Sequence, residues 1–142
     1  PDAVLDPQPS LGRLTTLTDD AELPIELSVD GDLSSLPESA SVTGYRLVQE
    51  ALTNIRRHAG TIDLVTISLV ADADRLVIEI VDNGRGAGAT PTPDGFGIIG
   101  MRERVAAVGG TVDIGPRQGG GWRVRATVPL RADDRQPAGV AR

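Results

Sequence analysis

Gln49-Glu50-Ala51-Leu52-Thr53-Asn54-Ile55-Arg56-Arg57-His58 is the stretch on which the fold turns. It closes a segment, Glu38 to His58, that follows Pro37, a good helix starter, and precedes Gly60, a good helix stop. Leu47, Ala51 and Ile55 recur every four residues, and Val48 and Leu52 widen the stripe, so the segment is predicted to be one long helix with a core-facing side. Glu50, Asn54 and Arg57 fall on another side, at spacings of four and three, with His58 beside them. Residues four apart on a helix project the same way, so the carboxylate and the amide point together. That pair suits a hard cation such as Mg²⁺, which takes one or two protein oxygens and completes its shell with waters and substrate phosphates. Arg57 could meet a phosphate. A plain solvated helix face would carry the same residues.

Outward from this helix, Ile25 to Asp30 alternates apolar and polar residues, the period of a half-buried strand. Before it, Leu11, Leu14 and Leu17 stand three apart between Pro9 and Pro24, which fits a short helix. After it, Leu64 to Val70 and Arg75 to Val81 read as strands joined by the hairpin-length link Ala71-Asp72-Ala73-Asp74. From Asp82 to about Gly95 the chain has no apolar period and reads as a loop, long for a compact domain. Ile98 to Val108 reads as a helix with Met101, Val105 and Val108 on one face. Thr111 to Ile114 and Trp122 to Val128 read as strands joined by the glycine-rich turn Gly115 to Gly121. The expected fold is a two-layer α/β (α+β) sandwich, a mixed and largely antiparallel sheet covered on one face by about three helices.

Composition narrows the function. At 142 residues the chain is one domain's worth, by the prior of about 100–200 residues per domain. With no Cys it cannot form disulfides, thiolate zinc sites or cysteine nucleophiles, and its single His, His58, excludes any site needing two imidazoles. A formal net charge of −6 argues against a nucleic-acid binder. No apolar run approaches the ~20 residues of a membrane-spanning helix, and no signal peptide opens the chain. The first residue is Pro1 rather than Met, so a piece of something longer is expected. The aromatic residues are Tyr45, Phe96 and Trp122 alone, which leaves the core to Leu, Ile, Val and Ala.

Two further segments carry chemistry. Asp82-Asn83-Gly84-Arg85-Gly86 ends a strand in a carboxylate, and its glycines leave room for a flat ring to approach the backbone. Such an Asp can accept a hydrogen bond from an exocyclic amine, although an ordinary Asp-Asn-Gly turn has the same letters. Gly95-Phe96-Gly97-Ile98-Ile99-Gly100-Met101 holds a G-x-G-x-x-G string that opens a helix and can present backbone N–H groups to a phosphate. A dinucleotide-binding motif would need a preceding strand in a βαβ unit; here a loop precedes it, which excludes that reading.

The order is more specific than its parts: a helix with Glu-x-x-x-Asn, a strand with Asp-x-Gly-x-Gly, a loop, then Gly-x-Gly opening a helix. In that order the chain closely resembles the ATP-binding catalytic domain of bacterial sensor histidine kinases, members of the GHKL superfamily. These share the Bergerat ATP-binding fold with DNA gyrase, the mismatch-repair MutL proteins and the heat-shock chaperone ATPases. Tyr45-Arg46-Leu47-Val48-Gln49-Glu50-Ala51-Leu52-Thr53-Asn54 and Gly100-Met101-Arg102-Glu103-Arg104-Val105 look most like the subgroup whose response regulators carry a NarL/LuxR-type DNA-binding domain. The resemblance covers roughly Ile25 to Pro129.

The resemblance implies roles residue by residue. Asn54 matches the amide that ligates Mg²⁺, and Glu50 an acidic position associated with the metal and the γ-phosphate; these two would be the catalytic pair. Arg57 matches a basic position that approaches the phosphates, and His58 one that lies against the nucleotide. Asp82 matches the aspartate that recognises the adenine amine, with Gly84 and Gly86 beneath the base. Gly95, Gly97 and Gly100 match the second glycine box, which hinges a lid over Ala87 to Asp94 and meets the phosphates. Arg102 and Arg104 follow it. Trp122 stands where many relatives have a small hydroxyl residue, and Phe96 at a lid position often filled by His or another residue.

The implied cofactors are ATP and Mg²⁺. The implied partners are the phosphoacceptor and dimerisation domain of a parent kinase and, downstream, a response regulator. Neither nucleic acid nor direct membrane contact is expected of this fragment, which would be cytoplasmic even where the parent is membrane-anchored. His58 lies inside the asparagine box, so the phosphorylated His is expected on an upstream part or on another protein. Residues 1–24 would lead from that domain, 25–130 would form the catalytic domain, and 131–142 a flexible tail. The alternatives are an anti-sigma-factor serine kinase of the same fold and a non-catalytic ATP-binding or protein-interaction module.

Overall fold

The computed structural model describes residues 10–58, 62–84 and 97–131. A 3-10 turn, Leu11–Arg13, leads into α1, Leu14–Asp20; Ser10 caps it by accepting the N–H of Gly12 at 3.0 Å. There follow β1 (Ile25–Asp30), α2 (Glu38–His58), β2 (Val65–Ala71), β3 (Arg75–Asp82), α3 (Ile98–Ala106), β4 (Thr111–Pro116) and β5 (Trp122–Pro129). Two boundaries differ from the sequence expectation by two residues, and the other strand ends by at most one. α3 stops short of Val108, where the chain turns through Gly109 at φ +81°, and β4 runs past Ile114 to Pro116, which pairs with Trp122.

The five strands form one sheet in the order β1-β2-β3-β5-β4. β1 and β2 are parallel, and α2 is the long crossover that such a pair requires. The other pairs are antiparallel. The β2–β3 link is closed by Asp72, whose Oδ1 accepts the N–H groups of Asp74 and Arg75 at 2.7 and 2.9 Å. The mixed, largely antiparallel two-layer arrangement is therefore present as expected.

Alternation decides which face is covered. β2 buries Val65, Ile67 and Leu69; β3 buries Leu76, Ile78, Ile80 and Asp82; β5 buries Val124, Ala126 and Val128. Against this face α2 sets Leu47, Val48, Ala51, Leu52 and Ile55, and α3 sets Ile98, Met101 and Val105. The opposite face is polar, with Glu79 lying 3.9 Å from Arg123 and 3.4 Å from Arg125. Exposed pairs of this kind add at most about 1 kcal/mol, so burial under the helices holds the sheet.

The segment before β1 is built into the core. Leu11 and Leu14 are buried, and the Leu11 N–H donates to Ser41 Oγ of α2 at 2.8 Å. A Cβ at Gly44 would stand 2.8 Å from Leu11 Cδ1 and 3.0 Å from Ile78 Cδ1, so the bare backbone there lets the turn settle between helix and sheet. Among the described residues no helix is long and apolar enough to cross a membrane.

Candidate functional site

The parity that buries Ile80 carries Asp82 to the helix side at the very end of β3. β5 pairs antiparallel with β3, Val124 opposite Ile80 and Arg123 opposite Val81, so Trp122 follows Val124 onto the same side and arrives beside Asp82. β4 adds Ile114, the partner of Val124. Above them pass Ala51, Asn54 and Ile55 of α2 and Ile98 and Met101 of α3. Together these side chains line a cleft that is open to solvent and whose walls are mostly aliphatic. The predicted Asn54 and Asp82 therefore face one cavity.

Asp82 is held firmly. It is 1% exposed, and its carboxylate accepts the backbone N–H of Gly84 at 2.8 Å and that of Trp122. Burial pushes its pKa above the ordinary aspartate value, while the two N–H donors and the Arg117 charge oppose that shift. Arg117 Nη1 also donates to the Asp82 backbone carbonyl at 3.4 Å. A carboxylate fixed by main-chain donors in the wall of an apolar cleft is an acceptor suited to an amine on a flat ring.

The turn before β5 makes this approach possible. Gly119, Gly120 and Gly121 have φ of +90°, +112° and +89°. A Cβ at Gly121 would collide with the Asp82 carbonyl oxygen and stand 2.9 Å from its carbonyl carbon. Only a residue without a side chain brings β5 this close to the end of β3.

The rest of the Asp-Asn-Gly string divides its labour. Asn83 faces away from the cleft; its Oδ1 accepts the N–H groups of Asp63 and Leu64 at 3.0 and 2.9 Å and so braces the entry to β2. Gly84 is buried and serves as the donor to Asp82.

The second glycine string meets α2 at Glu50. Gly97 is left-handed, at φ +65°, and a Cβ there would lie 2.6 Å from Glu50 Oε2. Its carbonyl accepts the Met101 N–H at 3.0 Å and starts α3, whose first turn has no side-chain cap. The leading N–H groups of α3 are the orphan donors of a helix start, where partial positive charge collects. Around Gly100 there is open space, with Arg104 Nη2 the nearest atom at 3.9 Å from a Cβ placed there. Arg102 braces the fold, donating from Nη1 to the Val112 carbonyl at 3.1 Å.

Two further candidates close α2. Arg57 is exposed toward the end of α2 and does not line the cleft, and His58 is the last residue of that helix. Gly86, Gly95, Phe96 and the predicted lid from Ala87 to Asp94 lie outside the described residues. No group of three His, Cys, Asp or Glu side chains gathers among the described residues, so any divalent ion here would rely on few protein oxygens. Sequence reasoning did not find Arg117, and it noted Trp122 only as a departure. The signal available was the glycine run directly before a strand, which licenses a close approach to another backbone.

A family model described as histidine kinase-, DNA gyrase B-, and HSP90-like ATPase matches residues 41–132, more than half of the chain. Over 100 residues the chain is 41% identical to the signal transduction histidine-protein kinase/phosphatase UhpB of Salmonella typhimurium, which covers 70% of this chain and 19% of UhpB. It is 34% identical over 102 residues to the sensor histidine kinase YxjM of Bacillus subtilis, 72% of this chain and 24% of that protein. The chain thus spans about a fifth to a quarter of the length of these curated relatives. In fold it is similar to the histidine kinase domain of the Erythrobacter litoralis EL346 blue-light activated histidine kinase, with a TM-score of 0.64 at 23% identity, covering 92% of this chain and 68% of that one.

Proposed function

We infer that this chain, which belongs to the histidine kinase-, DNA gyrase B- and HSP90-like ATPase family, is the ATP-binding catalytic unit of a sensor histidine kinase. The observation that carries the inference is the shared cleft, in which an amide from α2 and a carboxylate from β3 line one cavity. The adenine would lie among the aliphatic walls, with its exocyclic amine donating to Asp82 and the Gly84 backbone alongside. The phosphates would meet the start of α3 at Gly97 and Gly100, where uncapped N–H groups favour anions. Arg57, His58, Gly86 and Gly95 would complete the nucleotide contacts.

The donor set fits a magnesium ion. Asn54 lines the cleft and Glu50 stands one turn earlier on α2; a cation content with one or two protein oxygens plus phosphate and water needs no acidic cage. When bound, Mg²⁺ offsets charge on the transferring phosphoryl group. The protein's own work is positioning: Asp82 orients the base, the α3 start holds the phosphates, and the apolar walls exclude water. The γ-phosphoryl group would pass to a His on the phosphoacceptor and dimerisation domain of the parent kinase, and from there to an Asp of a response regulator. Residues 25–130, with the Leu11 and Leu14 segment packed into their core, would be the catalytic unit, placed in the cytoplasm.

Calorimetry of the full chain with ATP and Mg²⁺ tests this reading. One site is expected, with Asn54→Ala losing the magnesium-dependent part of the affinity and Asp82→Ala losing most of it. Absence of binding by the wild type, or wild-type binding by both variants, would overturn it. Phosphotransfer to a supplied histidine hairpin, as against a serine-bearing partner protein, separates the histidine kinase from a serine kinase of the same fold.

A further inference from the structure

We propose that Trp122 sets the base preference of the cleft, favouring a purine over a pyrimidine that carries the same amine. The proposal rests on the nucleotide reading of the cleft and names the residue that makes it selective. Asp82 alone leaves the choice open. Its buried carboxylate accepts a hydrogen bond from an exocyclic amine, and adenine and cytosine both present one. What adenine adds is a second fused ring, and discrimination requires a surface that this ring covers.

Trp122 supplies that surface. It is the chain's single tryptophan and, among the described residues, the only aromatic side chain lining the cleft, whose other apolar walls come from Ala, Ile, Val and Met. It is partly exposed there, so flat apolar area remains for a ligand to cover. Aliphatic walls contact either base, whereas the gain from an aromatic face grows with the area of ring laid upon it. The placement is enforced by backbone. The Trp122 N–H bonds the Asp82 carboxylate, and Gly121 lies against the Asp82 carbonyl, so the indole starts from a Cα pinned beside the amine acceptor. Because that bond comes from the main chain, replacing the side chain leaves the acceptor's partner in place.

The test is direct binding by the full chain with Mg²⁺, using ATP and CTP, for wild type, Trp122→Phe and Trp122→Thr. In Trp122→Thr the ATP-over-CTP preference should fall about tenfold, mostly through weaker ATP binding, and Trp122→Phe should keep most of it. Wild-type tryptophan emission should change saturably with adenosine and with ATP, but not with inorganic tripolyphosphate. An unchanged ATP-over-CTP ratio in Trp122→Thr, or an equal emission change with tripolyphosphate, would overturn the proposal while leaving the nucleotide site intact. A wild type that binds neither nucleotide would remove the site itself. If Trp122→Thr does not fold, the emission titration decides.

Discussion

Gly119→Ala and Gly121→Ala form a matched pair, because the two glycines share nearly the same φ, +90° and +89°, within one turn. An alanine forced into that region costs about 1–3 kcal/mol, offset by about 0.4–1 kcal/mol through the stiffer unfolded chain. That much applies to both. At Gly119 nothing lies within 4 Å of the new Cβ, so no further cost arises. At Gly121 the Cβ would collide with the Asp82 carbonyl oxygen and stand 2.9 Å from its carbonyl carbon, where carbon pairs settle at about 3.5–4.0 Å, so the strand ends must part by at least roughly 0.6–1.1 Å. That movement strains the Arg117 N–H bond to the Gly121 carbonyl, 2.8 Å, and the Trp122 N–H bond to the Asp82 carboxylate. One neutral and one charge-assisted bond together are worth about 2–4.5 kcal/mol. At about 3 °C per kcal/mol for a chain of this size, Gly121→Ala should melt about 6–14 °C below Gly119→Ala in thermal denaturation followed by circular dichroism. Equal melting temperatures, or a lower one for Gly119→Ala, would refute the claim that backbone contact at Gly121 sets the cleft.

Two further outcomes follow from the same geometry. The folded state holds the Asp82 proton to higher pH than the unfolded chain does, so this group's contribution to stability is full at low pH and is lost as pH rises from the ordinary aspartate range through the raised native value. Denaturant titrations of wild type and Asp82→Asn should therefore show their stability difference shifting against the wild type as pH rises over that interval; a shift in its favour would mean that the Gly84 and Trp122 donors outweigh burial. Asn83→Ala removes the acceptor of two backbone N–H groups and should cost about 1–3 kcal/mol of stability without weakening ATP binding by the folded protein; a matching loss of affinity would move Asn83 into the site.

The helices and strands were legible because their signals are local. The four-residue recurrence of Leu47, Ala51 and Ile55 marks a helix face wherever the helix packs, and the alternation of Leu76, Ile78 and Ile80 carries Asp82 to the covered side of any sheet containing it. Roles that depend on distant pairing were not legible. Asp82 and Asn83 are adjacent polar residues in one turn-forming string, and only the neighbouring 62–64 segment makes the second a brace. Arg102 looks like a cation following a phosphate loop, yet its partner is a carbonyl of β4. Trp122 reaches the cleft, and Arg117 the Asp82 carbonyl, because β3 pairs with β5, a pairing between segments some forty residues apart that leaves no periodic trace.

β3 has a neighbour on each side, whereas β1 and β4 are edges. Interior strands surrender their amide protons to solvent last, by opening of the whole domain rather than by fraying. Asp82, the carboxylate lining the cleft, is the final residue of that innermost strand. Whatever grips it therefore slows proton exchange far from the cleft, at Leu76 and Ile78 as much as at the rim, and occupancy is recorded in the lifetime of the entire sheet.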